Sequence, residues 1–201
     1  MHYFLCGLAV VAGYLIGSIS CSVLLTKLHY KTDVRTQGSG NAGATNVARV
    51  FGMKAGVLTL LGDVLKTVIS MLIGKLLGGD LGLALAGGAC LFGHAWPIYF
   101  KFKGGKGISV GAGLALMVDW KILLIIFAVF AVVFAITHIV SAASVCAAAS
   151  IVPAVFIVGA ALPQTVMICI AGPLVIWLHR SNIVRLMKGE EKKFVPKSKS
   201  K

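Results

Sequence analysis

Long apolar runs alternate with short polar ones along this chain, and most of the apolar runs are long enough to cross a membrane. A hydrocarbon core about 30 Å thick takes about 20 apolar residues per helix, fewer where a helix is short or re-entrant. The pattern predicts helices near 3–25, 55–77, 81–100, 107–119, 121–139, 142–161 and 164–178. Turn signals separate them: polar loops, Gly78-Gly79-Asp80, the Asp119-Trp120-Lys121 step, His138–Ser141 and Leu162-Pro163. Pro153 and Pro173 fall inside predicted helices and are expected to kink them, which neighbouring helices tolerate. Gly13-xxx-Gly17 and Gly107-xxx-Gly111 have the small-residue spacing of close helix packing. The expected fold class is an all-α integral membrane protein, a seven-transmembrane-helix bundle. One membrane domain spans 1–191, with a basic tail at 192–201.

Composition agrees. The 201 residues are 58% hydrophobic and only 12% charged, against about 25% charged in an average soluble domain. The length leaves no room for a separate soluble domain. The five cysteines stand singly in apolar runs, with neither CxxC pairs nor metal-ligand spacing, and read as small buried hydrophobes.

Charge then orients the bundle. Sixteen of the nineteen Lys and Arg residues fall in three segments, Lys27–Lys54, Lys101–Lys106 and Arg180–Lys201. Seven spans place all three on one side, and the positive-inside rule makes that side cytoplasmic, with the N-terminus outside. Lys75, Asp80, Asp119 and Lys121 nearly cancel on the other side. A net charge of +13 would also suit nucleic acid, but no basic helix or aromatic-interleaved platform is present. The lipid bilayer is the partner these charges fit.

The first polar segment contains a GxGxxG match, Gly38–Gly43. No β-strand precedes it, so a dinucleotide fold is rejected. Its chemistry survives the loss of that label. Glycines admit an oxyanion to backbone N–H groups, while Ser39, Asn41, Thr45 and Asn46 add hydrogen-bonding groups and Arg49 adds a fixed charge. A flexible polar loop is the alternative.

The second segment leaves an aromatic belt of Trp96, Tyr99 and Phe100 and enters Gly104-Gly105-Lys106-Gly107. Backbone amides at a helix start, joined by an ammonium, suit a phosphate. It is not a nucleotide-hydrolysing P-loop, because Phe100 stands where glycine is required and Gly107 where Ser or Thr should follow the lysine. His94 offers either a structural hydrogen bond or catalysis.

The third segment begins at His179. If the preceding helix continues, His179, Asn182 and Leu186 share one face, placing a titratable imidazole beside an amide. A snorkelling basic helix end is the alternative. Asp63 and Lys66, three apart within a span, read as a mutually neutralising structural pair or as functional groups. Ser141 and Ser144 read as helix-capping groups first and substrate contacts second.

Three signatures, GSGNAGATNVAR (38–49), GHAWPIYFKFKGGKG (93–107) and HRSNIVRLMKGEE (179–191), resemble those of the bacterial acyl-phosphate:glycerol-3-phosphate acyltransferases of the PlsY type. Each is modest alone. In this order, on one inferred face, they are specific. The resemblance implies an enzyme of the bacterial inner membrane, with its active site on the cytoplasmic face. It would transfer a fatty acyl group from a fatty acyl phosphate to the sn-1 hydroxyl of glycerol-3-phosphate. The products would be lysophosphatidate and inorganic phosphate, an early step of phospholipid biosynthesis. No cofactor, metal or obligate protein partner is implied. Carried onto this sequence, the catalytic set is His179, Asn182, Lys106, Arg49 and Ser39. The substrate-binding set is Gly40, Asn41, Thr45, Asn46, Gly104, Gly105, Gly107 and Ser141, with Glu191 structural.

None of the five histidines is followed by Asp after four intervening residues, the usual catalytic pair of thioester-dependent acyltransferases. A transporter for a phosphorylated solute would use similar loops, but no internal repeat is visible. A non-catalytic scaffold for anionic lipid explains the tail and leaves the three clusters unexplained.

Overall fold

The structure is a computed structural model and describes residues 1–194; of the tail read at 192–201, residues 195–201 lie outside the described part. It is entirely helical among the described residues: α1 His2–Gly17, α2 Cys21–Tyr30, α3 Ala44–Phe51, α4 Met53–Ala95, α5 Ile108–Val118, α6 Trp120–Thr137, α7 Val140–Val158, α8 Leu162–Leu178 and α9 Arg180–Met187.

α4 is a hairpin. Its backbone leaves helical geometry at Gly78 and Gly79, where φ turns positive at 59°, a conformation glycine adopts without steric cost. The arms then run back to back. Ser70 Oγ donates to Ala86 O at 3.1 Å, and a Cβ on Gly74 would lie 2.3 Å from Gly82 O. The expected turn at Gly78-Gly79-Asp80 is present.

The first expected helix is broken. α1 ends at Gly17 and α2 begins at Cys21, with Ser20 Oγ accepting from Val23 N at 3.5 Å. Such a break strands carbonyls of the last helical turn, and Lys66 Nζ satisfies two carbonyls there, Gly17 O at 3.0 Å and Ile19 O at 2.7 Å. Gly13 and Gly17 pack against the Ala86 and Cys90 backbones, as their spacing predicts. Gly111 differs: nothing lies within 4 Å of its Cβ position. It opens instead onto a narrow apolar groove shared with Gly107, Ala147, Ile151, Gly172 and Val175.

Four helical stretches, 2–30, 53–100, 120–137 and 140–158, are long and apolar enough to cross a membrane, and the pair 162–187, bent by 55°, makes a fifth. The second of these is the hairpin. The eleven residues of α5 rise only about 16 Å, half a bilayer core. Pro153 and Pro173 sit inside α7 and α8, each of which continues as one helix.

A core of Met71, Leu91, Val110, Leu114, Ile122 and Ile168 joins α4, α5, α6 and α8. A smaller cluster, Val23, Val34, Ala42, Val47 and Ala55, lies beneath the first polar segment. Outward positions are equally apolar. Leu76, Phe127, Ile136 and Ile157 are all more than 60% exposed, which suits a lipid solvent and not water.

Candidate active site

The three polar segments converge. Between α2 and α3 the chain forms a helical turn, Val34–Thr36, capped by Asp33, whose side chain accepts from Arg35 N. The Arg35 guanidinium grips both Asp33 oxygens, at 3.0 and 2.8 Å, and donates to Phe100 O at 2.8 Å while lying over the Phe100 ring. Those hydrogen bonds hold the Asp33 carboxyl down at about 2. Arg35 thereby ties the first segment to the second. Sequence reading missed it, although an arginine two residues after a lone acid was the available signal.

Asn46, fully buried on α3, organises the glycine-rich stretch. Its Oδ1 accepts from Ser39 N at 2.9 Å, and its Nδ2 faces Val34 O, Gln37 O and Asn41 O at 3.2, 3.0 and 3.1 Å. Each of these hydrogen bonds goes to backbone of the first polar segment, so Asn46 shapes the site from beneath. Gly38 and Gly40 are left-handed, with φ of 58° and 72°. Ser39 and Gly40 are left exposed above, while Asn41, Thr45 and Arg49 are half-buried around them. The eight-residue helix α3, which the sequence pattern did not signal, carries Thr45, Asn46 and Arg49.

The second segment folds onto His94. Gly105 N donates to His94 O at 3.1 Å, so that amide serves the fold. The phosphate seat expected from Gly104, Gly105 and Gly107 is smaller by this N–H group. Gly107, with φ of 86°, is the N-cap of α5. Ala42 O would lie 3.0 Å from a Cβ on Gly105, which puts the first glycine-rich stretch directly beside the second. Lys106 is half-buried and donates to Asn182 Oδ1. Burial lowers its pKa from the usual lysine value, and the nearby Arg185 and Arg180 lower it further, against an opposing pull from Glu191.

The last predicted helix ends at 178 as expected, and the chain does not continue straight into the third segment. The C-cap of α8 is His179, with φ −92° and ψ 6°, and α9 leaves at 55°. Asn182, one turn later, still comes to the site. The imidazole is buried, and its Nδ1 lies 2.8 Å from Val175 O. A carbonyl only accepts, so Nδ1 carries the proton and Nε2 keeps a lone pair in the neutral ring. Gly189, with φ of 69°, reverses the chain after α9 and brings Glu191 back. One Glu191 oxygen accepts from Asn182 Nδ2 at 2.6 Å and Ser141 Oγ at 2.8 Å; the other accepts from Arg185 at 2.6 Å. Burial alone would raise the Glu191 pKa, but these three donors hold it below the ordinary carboxylate value. Ser141 is therefore not the N-cap of α7. Ile139 occupies that position, and the Ser141 hydroxyl is committed to Glu191.

His94, left open by the sequence between a structural hydrogen bond and catalysis, is buried. It lies 3.1 Å from Lys66 Nζ, beside the Asp63–Lys66 ion pair of 2.9 Å. Among the described residues no cluster of acids, histidines and cysteines has metal-binding geometry. The assembled site thus brings Lys106, the backbone of two glycine-rich stretches and the Asn182–Glu191 pair together from three segments, a cationic and amide-rich arrangement suited to an anion.

Comparison with known proteins agrees with this chemistry. The profile of the family described as Glycerol-3-phosphate acyltransferase matches residues 7–189. The chain is similar to the glycerol-3-phosphate acyltransferase of Thermoanaerobacter pseudethanolicus, 42% identical over 96% of this chain and 98% of that one. That of Syntrophotalea carbinolica is 43% identical over 92% and 95%. Among solved structures, the glycerol 3-phosphate form of PlsY (YgiH), an integral membrane glycerol 3-phosphate acyltransferase, superimposes with a TM-score of 0.89 at 38% identity, covering 94% of this chain and 96% of that one. Its lysophosphatidic acid form gives 0.87 at 37% identity over 94% and 95%. With sequence, fold and site chemistry in agreement over nearly its whole length, this multi-pass membrane chain belongs to the PlsY-type glycerol-3-phosphate acyltransferase family.

Proposed function

We propose that this protein transfers a fatty acyl group from an acyl phosphate to the sn-1 hydroxyl of glycerol-3-phosphate. The hydroxyl oxygen attacks the carbonyl carbon, the bond from that carbon to the phosphate oxygen breaks, and the products are lysophosphatidate and inorganic phosphate. The observation that carries this is the convergence of the three polar segments: Arg35 joins the first to the second at Phe100 O, Ala42 O lies against Gly105, Lys106 reaches Asn182 on the third, and an apolar groove begins at Gly107.

An acyl phosphate is already activated, so the protein needs no covalent intermediate. It needs to bring two mutually repelling phosphates together. Placement lowers such a barrier by roughly 7–11 kcal/mol, and fixed cations and amides stabilise the developing charge. Lys106, Arg49 and the Ser39 hydroxyl hold phosphate oxygens, with Gly40, Asn41, Thr45 and the remaining amides around Gly104–Gly107 lining the same cleft. Asn182 orients Lys106, and Ser141 acts through Glu191. The hydroxyl proton passes to His179 Nε2 or to the departing phosphate. The acyl tail follows the groove between α5 and α8.

In this reading each arm of α4 is one span and the break at Ser18–Ser20 lies within another. Seven crossings then put the three basic segments on the cytoplasmic face of the inner membrane and the N-terminus outside, and the positive-inside bias supports that orientation.

The test uses purified protein in detergent with glycerol-3-phosphate, comparing palmitoyl phosphate with palmitoyl-CoA and following phosphate release and lysophosphatidate. Product from palmitoyl phosphate alone is the expected result. Product from palmitoyl-CoA alone overturns the donor. Uptake of glycerol-3-phosphate into reconstituted vesicles without conversion overturns the reaction.

A further inference from the structure

Three titratable side chains are buried together behind the cleft. Asp63, Lys66 and His94 are each no more than 6% exposed. Lys66 Nζ lies 2.9 Å from Asp63 Oδ1, 3.1 Å from His94 Nδ1, and 3.0 and 2.7 Å from the carbonyls of Gly17 and Ile19. An ammonium has three protons, and these go to the two carbonyls and His94 Nδ1, so the Asp63 oxygen is held by charge. Against a lysine donor, His94 Nδ1 must accept, and the ring proton sits on Nε2.

The opposite edge of that ring lies against the glycine turn. A Cβ on Gly105 would fall 2.2 Å from His94 Nε2, and a Cβ on Gly104 would fall 2.0 Å from His94 O. The Gly105 amide donates to the same carbonyl at 3.1 Å. The two residues that immediately precede Lys106 therefore rest on the ring and on the backbone of one histidine. Buried ion clusters are costly to assemble, and apolar packing of equal volume is often as stable. This cluster joins the break after α1, both arms of α4 and the glycine turn, four pieces whose relative placement fixes where Lys106 begins.

We propose that Asp63 and Lys66 fix the ring of His94, and that His94 is the positioning residue that sets the Gly104–Lys106 turn for phosphate binding. The proposal rests on the reading of Lys106 as a phosphate ligand.

Calorimetric titration of glycerol-3-phosphate into the full-length protein in detergent tests it without any acyl donor. His94→Asn keeps an acceptor for Lys66 and removes the ring edge under Gly105. The expected result is a Kd raised about tenfold, a loss of about 1.4 kcal/mol, in protein that is still folded and melts cooperatively. Gly105→Ala in the native background weakens binding by a similar factor, because its methyl meets the ring. Added to His94→Asn, the same methyl no longer meets the ring and keeps only the tight contact with Ala42 O at 3.0 Å, and part of the lost affinity returns. That reversal of sign is not expected of a residue that merely stabilises the fold. Native affinity in His94→Asn, or a lowered melting temperature with native affinity, overturns the proposal. If His94→Asn is not recovered folded, Gly105→Ala alone decides, and native affinity there overturns it. Native protein that binds no glycerol-3-phosphate overturns the substrate reading instead.

Discussion

The Lys106 ammonium donates to the side-chain oxygen of Asn182, 76 residues further along the chain. The Asn182 amide donates in turn to Glu191, which also receives Ser141 and Arg185. The amide orientation is fixed from both ends, since its oxygen faces a donor and its nitrogen an acceptor. Lys106 is thus aimed by a chain of hydrogen bonds that passes through α9 and the returning tail to α7.

Lys106→Ala removes the ammonium and leaves that chain ending at a free amide. Turnover with glycerol-3-phosphate is expected to fall about 10²–10³-fold, the usual cost of losing one charge-stabilising donor, with a raised KM. Steady-state kinetics against glycerol-3-phosphate checks this, and native turnover with native KM would remove Lys106 from its role.

The lowered Lys106 pKa gives a pH signature. Phosphate binding needs the ammonium, so affinity is lost as pH rises through a pKa below the ordinary 10.5. Lys106→Arg stays charged throughout and is expected to lack this alkaline limb while binding less tightly at neutral pH. Calorimetric affinities for glycerol-3-phosphate across alkaline pH distinguish the two proteins.

Glu191→Gln tests the hub. The folded carboxyl titrates below its ordinary 4.5, so its stabilisation is complete above that value and is lost as pH falls through the depressed pKa. The native protein is expected to melt higher than Glu191→Gln at neutral pH, and the gap is expected to close on acidification. Thermal melts at a series of pH values measure the gap; a constant gap would show that the Glu191 charge contributes nothing.

Asn46→Asp exchanges a donor for an oxygen that meets three backbone carbonyls. The loop is expected to lose about 2–4 kcal/mol, the scale of buried polar groups left unmatched, and the Ser39–Gly40 stretch to lose its shape. Asn46→Ser, small and able to donate, is expected to be milder. Melting temperature and the KM for glycerol-3-phosphate report the two effects.

Much of the helix layout was legible in the sequence because apolar length and turn residues are local properties. The Gly78–Gly79 turn, the Asp119 cap of α6 and the His138 break all fall where the pattern puts them. The break at Ser18–Ser20 was not legible, since Gly17 beside it reads as a helix-packing glycine and the stranded carbonyls depend on Lys66 from another helix. The end of the last long helix at 178 was legible, but the 55° angle at which α9 leaves it was not, because no turn residue sets that angle.

Within the site, the residue types were readable and their assignments were not. Lys106, Asn182, Arg49 and Ser39 stand out by composition, because few chemistries need glycine, amide and cation so concentrated. Asn46 looked like its neighbour Asn41, yet one side chain is buried beneath the loop and the other is only half-buried. The sequence by itself determined that this chain is a helical membrane protein with three basic polar segments rich in glycine, amide and cation, through hydrophobic length, charge bias and local glycine content. Only the tertiary structure decided which groups remain available to a substrate. A buried donor or acceptor must find a partner wherever the fold supplies one, and Asn46, Ser141 and the Gly105 amide found theirs within the protein.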